Sequence, residues 1–422
     1  MRPYPPLGIL YLSAYLRGKG FDVDVYDSTF GCKQELFEIL ERGPAGWLGI
    51  YGNLLTRANV LAIAQRARAA GWRVALGGPE PANYAEEYLC GGADYIVIGE
   101  GELTLEQLLS GNPAPDGVVY RERGGGIVRT PPAAQIPDLD SLPWPDRERI
   151  DLTRYLSAWR ERHGMGSVSL ITARGCPYQC RWCSHSTYGT THRRRSVRNV
   201  AGEAEWILNR YSPEMLWYAD DVFTIHTGWT IRYAAEMKRR GIRVPFECIT
   251  RADRFSEPVA AALAEMGCFR VWIGSESGSQ RILDAMQRGV KVDQVRKAVG
   301  LAKTHGIQTG LFLMWGYDGE QIEDIEATVE HVRACRPDVY LTTVSYPIKG
   351  TPYYEQVQDR LVRIGPWQAS TDRDVRIRGR HSRRFYQFAD DLLRSSLETP
   401  ENPIRIAAAR AALEAAFGEV EA

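Results

Sequence analysis

The chain has 422 residues, and its 52 Lys and Arg balance its 52 Asp and Glu, so the formal net charge is zero. That length supports two or three domains and a large buried core. The balance excludes a bulk electrostatic attraction to nucleic acid or to an acidic membrane surface.

The first segment alternates apolar strand-like runs with amphipathic helical runs. Residues 7–19 have helical periodicity, 23–26 read as a strand, and 33–42 as a helix. Residues 47–51 predict a strand, 56–70 an alanine-rich helix, and 73–76 a strand ending in Gly77-Gly78-Pro79. A strand at 95–98 ends in Gly99-Glu100-Gly101-Glu102, with a helix to Leu109. This alternation predicts a doubly wound, Rossmann-like α/β sheet with helices on both faces. Ligands bind such sheets at the carboxyl ends of the strands. Residues 117–130 read as a hairpin closing a domain of residues 1–130; a linker covers 131–160, and its Pro- and Asp-rich stretch from Pro131 to about Ile150 reads as an extended connector.

The alternation restarts over residues 161–350. Strands are predicted at 168–172, 215–218, 246–250, 270–274, 309–315 and 339–345, with helices at 200–211, 229–240, 257–266, 292–305 and 322–335. About six β/α units predict a partial (β/α)6 barrel, whose chemistry sits at the carboxyl ends of its strands. Residues 351–422 are polar and Arg-rich, and are expected to form a small, mainly helical C-terminal region ending in a helix over 403–417. No signal peptide is legible and no apolar run is long enough to span a bilayer, so a cytoplasmic location is expected. Thiols stay reduced there, and a cysteine cluster reads as metal-binding.

Such a cluster follows the first barrel strand. In ITARGCPYQCRWCSHS, Cys176, Cys180 and Cys183 are spaced C-x3-C-x2-C. Three thiolates from one turn are one ligand short of a four-cysteine cluster site, and an open coordination position is where a substrate or cofactor binds. Zinc with His185 or His192 as fourth ligand is the alternative, but the compact triple favours a cluster. Cys32, Cys90, Cys248, Cys268 and Cys335 have no spacing pattern and are expected as small buried residues. The run Arg193-Arg194-Arg195, with Arg198, is expected to be solvated or locally paired at the surface, with contact to an anionic ligand as the alternative.

The cysteine stretch, with Trp182 before the third cysteine, resembles the radical S-adenosylmethionine enzymes. The resemblance implies that Cys176, Cys180 and Cys183 ligate a [4Fe–4S] cluster, whose remaining iron chelates S-adenosylmethionine. Reductive cleavage would then yield a 5′-deoxyadenosyl radical that abstracts hydrogen. Asp220-Asp221-Val222-Phe223-Thr224 resembles the family motif for the methionine amino group, with an acidic pair where Gly-Gly-Glu is more frequent. A carboxylate there could accept a charge-assisted hydrogen bond, or the pair could cap the helix that follows. Arg251 would contact the methionine carboxylate or order the site; a surface ion pair is the alternative. Ser275 and Glu276 lie in a segment, residues 274–278, that resembles the family's ribose-binding element, with helix capping by Ser277 or Ser279 as the alternative. Residues 310–314, ending at Met314, resemble the adenine-side strand, although Leu311 and Leu313 are expected in the core. Residues 346–352 resemble the loop after the sixth strand.

The opening RPYPPLGILYLSAYLRGKGFDVDVYD resembles cobalamin-binding domains fused to radical S-adenosylmethionine cores, including cobalamin-dependent methyltransferases. The combined resemblance covers nearly the whole chain, and the relatives of the anaerobic magnesium-protoporphyrin monomethyl ester cyclase form the nearest subgroup. The Arg-rich residues 372–386 share that flavour. Two departures stand out. These domains usually open with a further strand and loop, whereas this chain starts almost at the PPLG element. The Asp-x-His-x-x-Gly motif is absent, Asp27-Ser28-Thr29 being the nearest position. The resemblance implies cobalamin contacts at Tyr51, Gly52, Asn53, Gly77, Gly78, Pro79, Gly99, Glu100 and Gly101. The same glycine turns also suit a domain that has lost cobalamin and only packs.

The resemblance implies cobalamin-dependent C-methylation of an unactivated carbon. Radical cyclisation, oxidation or rearrangement would use the same scaffold, and a structural zinc protein is the remote reading. A small-molecule or natural-product substrate is expected, with an electron donor such as flavodoxin or ferredoxin, no nucleic acid and no membrane span. The 11 Trp and 21 Tyr would suit a planar substrate and equally a large core, and the core reading is preferred.

Overall fold

The computed structural model describes residues 3–122 and 124–421. It divides into two compact units: residues 1–177, 184–215 and 365–371 in one, and 178–183, 216–364 and 372–422 in the other.

The first unit opens with α1 (Leu7–Gly18) and α2 (Lys33–Arg42). Its five-stranded sheet runs in the order β1 (Trp47–Tyr51), β2 (Arg73–Gly77), β3 (Tyr95–Val97), β4 (Val118–Arg121), β5 (Ile127–Arg129). The first three are parallel, and β4 and β5 form the expected antiparallel hairpin. Intervening helices are α3 (Arg57–Ala69), α4 (Ala85–Cys90) and α5 (Glu102–Leu109). Val74, Ala75 and Leu76 are all buried. That continuous apolar run is what a parallel strand covered on both faces requires.

Two sequence expectations change here. Residues 23–26 form no strand: among the described residues they join no sheet, and alternation without a neighbour to pair makes no ladder. The linker of residues 131–160 holds regular structure at its end, because α6 (Leu152–His163) starts within it, just past the Pro- and Asp-rich stretch. Asp151 caps this helix by accepting from the Thr153 backbone N–H, and Leu152, Tyr155, Leu156 and Trp159 supply its buried face. The unit continues through β6 (Ser167–Leu170), the short antiparallel pair β7 (Ala173–Arg174) and β8 (Arg193–Arg194), and α7 (Val197–Tyr211).

Residues 365–371 return to this unit as a strap. The Arg57 guanidinium lies 4.6 Å from the Trp367 ring centroid and 4.8 Å from that of Tyr84. Its Nη1 donates to the carbonyls of Trp367 (3.0 Å) and Ser370 (2.5 Å), and its Nε to Glu80 Oε1 (2.6 Å). Tyr88 completes the group by donating to Glu80 Oε2 at 2.6 Å. Arg57 and Glu80 are both buried. Arg57→Ala would leave the Glu80 carboxylate without its cation, so a loss of about 3–5 kcal/mol is expected. A urea titration checks this; an unchanged midpoint would show that the Arg57–Glu80 pair adds no net stability.

The second unit holds parallel strands in the order β13 (Val339–Val344), β12 (Gln308–Trp315), β11 (Cys268–Glu276), β10 (Phe246–Thr250), β9 (Met215–Tyr218). Helices α8 (Thr227–Arg239), α9 (Glu257–Met266), α11 (Val292–Thr304) and α12 (Ile322–Cys335) alternate with them. A short α10 (Gln280–Ala285), not read from the sequence, follows β11. The C-terminal region holds α13 (Pro352–Val357), the antiparallel β14 (Leu361–Arg363) and β15 (Val375–Ile377), α14 (Arg383–Glu398) and α15 (Pro403–Ala415). In α14, Phe385, Tyr386, Ala389, Leu392 and Leu393 form one buried stripe.

Cys248, Cys268 and Cys335 are buried as expected. Cys32 and Cys90 are instead exposed, at the N-cap of α2 and the last residue of α4, where a helix end meets solvent. Among the described residues no helix is long and apolar enough to cross a membrane.

Candidate functional site

Residues 178–183 carry two of the three motif cysteines into the second unit. The Arg181 N–H donates to Met286 O (3.1 Å), and the Arg181 carbonyl accepts from the Tyr353 N–H (2.9 Å). The Cys183 N–H closes a tight turn on Cys180 O at 3.0 Å. Cys180 is buried, Cys183 exposed, and Cys176, in the first unit, half-buried.

Two guanidiniums flank Cys180 Sγ: Arg251 Nη1 at 3.9 Å and Arg288 Nη1 at 3.8 Å. Arg251 is buried, so it makes no surface ion pair. Its Nε donates to Asp253 Oδ1 (2.9 Å), its Nη2 to Arg288 O (3.0 Å), and its guanidinium lies 3.6 Å from the Tyr178 ring centroid. The Tyr178 hydroxyl accepts from Arg254 Nε at 2.5 Å. Two buried cations beside one sulfur suit a negatively charged metal-ligand sulfur better than an inert buried thiol. Among the described residues, no three His, Cys, Asp or Glu side chains gather as a single-ion site. A cluster distributes its thiolates over separate irons, and the Cys180 surroundings fit one of those ligands.

Glu276 ends β11 with φ at +60°. A non-glycine residue held there is strained, and such strain often marks a working site. Its carboxylate Oε1 lies 3.5 Å from Arg288 Nε. Burial pushes its pKa up, against the opposing pull of Arg288 and Arg251. A register irregularity between Gly274 and Glu276 separates it from its neighbour. Ser275 faces α12, where its hydroxyl pairs with His331 Nε2 at 3.1 Å. Burial pushes the His331 imidazole down to about 4, so that partner is neutral. Ser275 is thus not brought to the arginines. Ser277 meets Thr328 (3.1 Å), and the Ser279 hydroxyl donates to Asp324 (2.6 Å). Ser279 makes no side-chain cap bond to α10, whereas Ser277 Oγ accepts from the N–H of Ser279, the cap residue of that helix, at 3.1 Å. Gly278 is required by close approach, since a Cβ there would sit 2.4 Å from Ala327 O.

Asp220 is buried and Asp221 exposed, at the turn after β9. The next helix starts at Thr227 with His226 at its cap, so the aspartates do not cap it. The turn is pinned to β10 by the Phe223 N–H on Ile249 O (2.9 Å) and by Thr224 against Thr250 (2.5 Å). Met314 is buried among Ile282, Met286, Tyr317 and Tyr353, with Trp182 of the cysteine motif packed against that cluster. Leu311 and Leu313 are core residues, as expected. Thr351 caps α13 by accepting from the Tyr354 N–H.

In the first unit a cleft of about 110 Å³ opens at the carboxyl ends of the parallel strands. Tyr51, Gly77, Gly78, Gly99, Glu100 and Gly101 line it, together with Gly8, Tyr11, Thr187 and Tyr188, which the sequence did not single out. At Gly78, φ is +111° and a Cβ would lie 2.4 Å from Gly52 O, so the cleft floor requires glycine. Gly52, Asn53 and Pro79 shape the turns behind it: the Gly52 N–H donates to Gly77 O (2.8 Å), Asn53 Oδ1 accepts from the Leu55 N–H (2.9 Å), and Pro79 O accepts from Ser186 Oγ (2.7 Å).

Glu100 is already committed. It accepts from Arg174 (2.8 Å), Arg193 (2.7 Å) and the Ile136 N–H (2.9 Å), while Glu102 takes the other arm of Arg174 (2.6 Å). Burial would raise the Glu100 pKa, but Arg193 and Arg174 outweigh it and hold the carboxyl below its ordinary range. Arg195 is buried too, donating to Glu203 (2.5 Å) and Ile171 O (2.8 Å). Arg193 and Arg195 are therefore locally paired, as expected, but inside the unit rather than on a solvated face. Asp27 is tied by Tyr155 (2.8 Å) and the Thr29 N–H (3.0 Å).

A radical SAM superfamily model matches residues 170–332, and a B12 binding domain model matches residues 2–109. An uncharacterized methyltransferase of Pyrococcus horikoshii is 28% identical over 395 residues, 89% of this chain and 84% of that protein. The anaerobic magnesium-protoporphyrin IX monomethyl ester cyclase of Rubrivivax gelatinosus is 24% identical over 378 residues, 85% and 67% of the two chains. The radical S-adenosylmethionine methyltransferase TsrM from Kitasatospora setae, solved with cobalamin and a [4Fe–4S] cluster bound, shares the fold with a TM-score of 0.73 at 21% identity, covering 86% of this chain and 74% of that one. A B12-binding domain followed by a radical S-adenosylmethionine domain places the chain among the cobalamin-binding radical S-adenosylmethionine enzymes, whose cofactors are S-adenosylmethionine, a [4Fe–4S] cluster and cobalamin.

Proposed function

We propose that the enzyme methylates an unactivated carbon of a small molecule or natural product. The observation that carries this reading is the Cys180 sulfur between two buried arginines, in a chain that also has a B12-binding domain. The cofactors supply the hard chemistry: hydrogen abstraction by a 5′-deoxyadenosyl radical, and a methyl group carried on cobalamin.

The chain's own residues hold and orient. Cys176, Cys180 and Cys183 would ligate the cluster. Asp220 and Asp221 offer carboxylates to the methionine ammonium, and Arg251 a cation to its carboxylate. Glu276 offers an acceptor for ribose hydroxyls, and Met314 an apolar wall for the adenine. In the first unit, Tyr51, Gly77, Gly78, Gly99 and Gly101 leave backbone open to a corrinoid or its tail. The electron comes from a small reductant such as flavodoxin or ferredoxin, in the cytoplasm. The methyltransferase relative supports methyl transfer, and the cyclase relative favours a second reading, radical cyclisation on the same scaffold.

The test is anaerobic reconstitution with iron, sulfide and cobalamin, followed by turnover with candidate substrates. Corrin absorption bands on the purified protein, and S-adenosylhomocysteine formed with a methylated product, are expected. 5′-Deoxyadenosine without S-adenosylhomocysteine would favour cyclisation or rearrangement, and no corrin bands at saturating cobalamin would overturn the methylation reading.

A further inference from the structure

Arg288 sits in the turn after α10, where Gln287 and Gly289 hold φ at +50° and +63°. This reversal carries its side chain back beneath β11. Nη1 reaches Cys180 Sγ at 3.8 Å, Nη2 donates to Gly274 O at 3.0 Å, and Nε lies 3.5 Å from Glu276 Oε1. The side chain is only 7% exposed, and its Nε–H has no hydrogen-bond acceptor among the described residues. Gly274 makes the approach possible, because a Cβ there would fall 2.4 Å from Arg288 Nη2.

The two arginines at Cys180 are not equivalent. Arg251 Nε is hydrogen-bonded to Asp253 Oδ1 at 2.9 Å, so its charge is closely matched. Among the described residues the Arg288 guanidinium meets one carboxylate, Glu276, across 3.5 Å and without a hydrogen bond from Nε. A buried, weakly compensated cation beside a ligand sulfur favours the more negative, reduced state of a cluster. A planar guanidinium also fixes geometry in a way that a lysine ammonium does not.

We propose that Arg288 is a positioning residue that holds Cys180 and Glu276 in one register and raises the reduction potential of the cluster ligated by Cys180. The inference rests on the function proposed above. It is tested on the full-length chain, anaerobically reconstituted and titrated with dithionite in the absence of S-adenosylmethionine, with the reduced cluster followed by electron paramagnetic resonance. Arg288→Gln is expected to retain iron and to shift the reduction equilibrium about tenfold toward the oxidised form, a fall of about 59 mV for one electron. Arg288→Lys, which keeps the charge but not the fork, is expected to stay near the wild-type potential while binding S-adenosylmethionine more weakly. An unchanged potential in Arg288→Gln, an equal fall in both variants, or loss of iron from both would overturn the proposal. A wild-type chain that takes up no cluster would instead sink the function itself, so the two failures are distinguishable.

Discussion

Cys180→Ala is expected to lose its iron and to reduce S-adenosylmethionine cleavage to background, while the fold survives. The fold should survive because the sulfur's two neighbours keep their other partners. Arg251 remains bonded to Asp253 and to Arg288 O, and Arg288 to Gly274 O. The loss of iron follows from the proposed ligand set: with Cys176, Cys180 and Cys183 as the three ligands, removing one thiolate leaves too few to retain a cluster that already has one iron without a protein ligand. Cys335→Ala is the control. That thiol is also buried, but it packs against His331 at 3.8 Å on α12. Its removal should cost a little stability and no iron. Iron analysis, circular dichroism and 5′-deoxyadenosine assay of both variants settle the matter; an iron-replete Cys180→Ala would remove Cys180 from the ligand set.

The parts of this enzyme legible in its sequence are local ones. The cysteine spacing lies within eight residues, and the strand–helix alternation repeats at short range. The glycine turn at Gly77-Gly78 announces itself because positive φ and close approach leave few other residues possible. Arg288 was hidden because it lies 108 residues from Cys180 and belongs to no motif around it. The partners of the Glu100 side chain were hidden for the same reason. Its carboxylate is held by Arg174 and Arg193, 74 and 93 residues further on. Ser275 and Glu276 show a finer limit. Adjacent strand residues point to opposite faces, and an irregularity at the strand end shifts that pattern. Sequence alone names the pair but not which member joins the arginines. The strap at residues 365–371 is invisible for a third reason: Trp367 contacts Arg57, Tyr84 and Tyr88, and such long-range contacts leave no periodic trace.

Glu320→Gln is expected to stabilise the chain at mildly alkaline pH and to flatten its stability profile. Glu320 lies between β12 and α12, almost fully buried. One carboxyl oxygen accepts from the Gly316 N–H at 2.5 Å; the other has no hydrogen-bond partner among the described residues. Burial pushes its pKa from 4.5 to about 8, with Asp324 adding to the rise and the Gly316 N–H, Arg281 and Arg380 opposing it. Between those values the folded chain holds a proton that the unfolded chain has released. Stability therefore falls as pH rises through that window, by up to about 1.4 kcal/mol per unit, and the loss is complete once the folded group also ionises. Glutamine keeps the acceptor for Gly316 and carries no titrating proton, so the variant lacks this slope. Urea midpoints of both proteins at about pH 5 and about pH 8 should diverge, with the variant the more stable at the higher pH. Parallel profiles would mean that water or a neighbouring cation reaches the Glu320 carboxyl and lets it ionise normally.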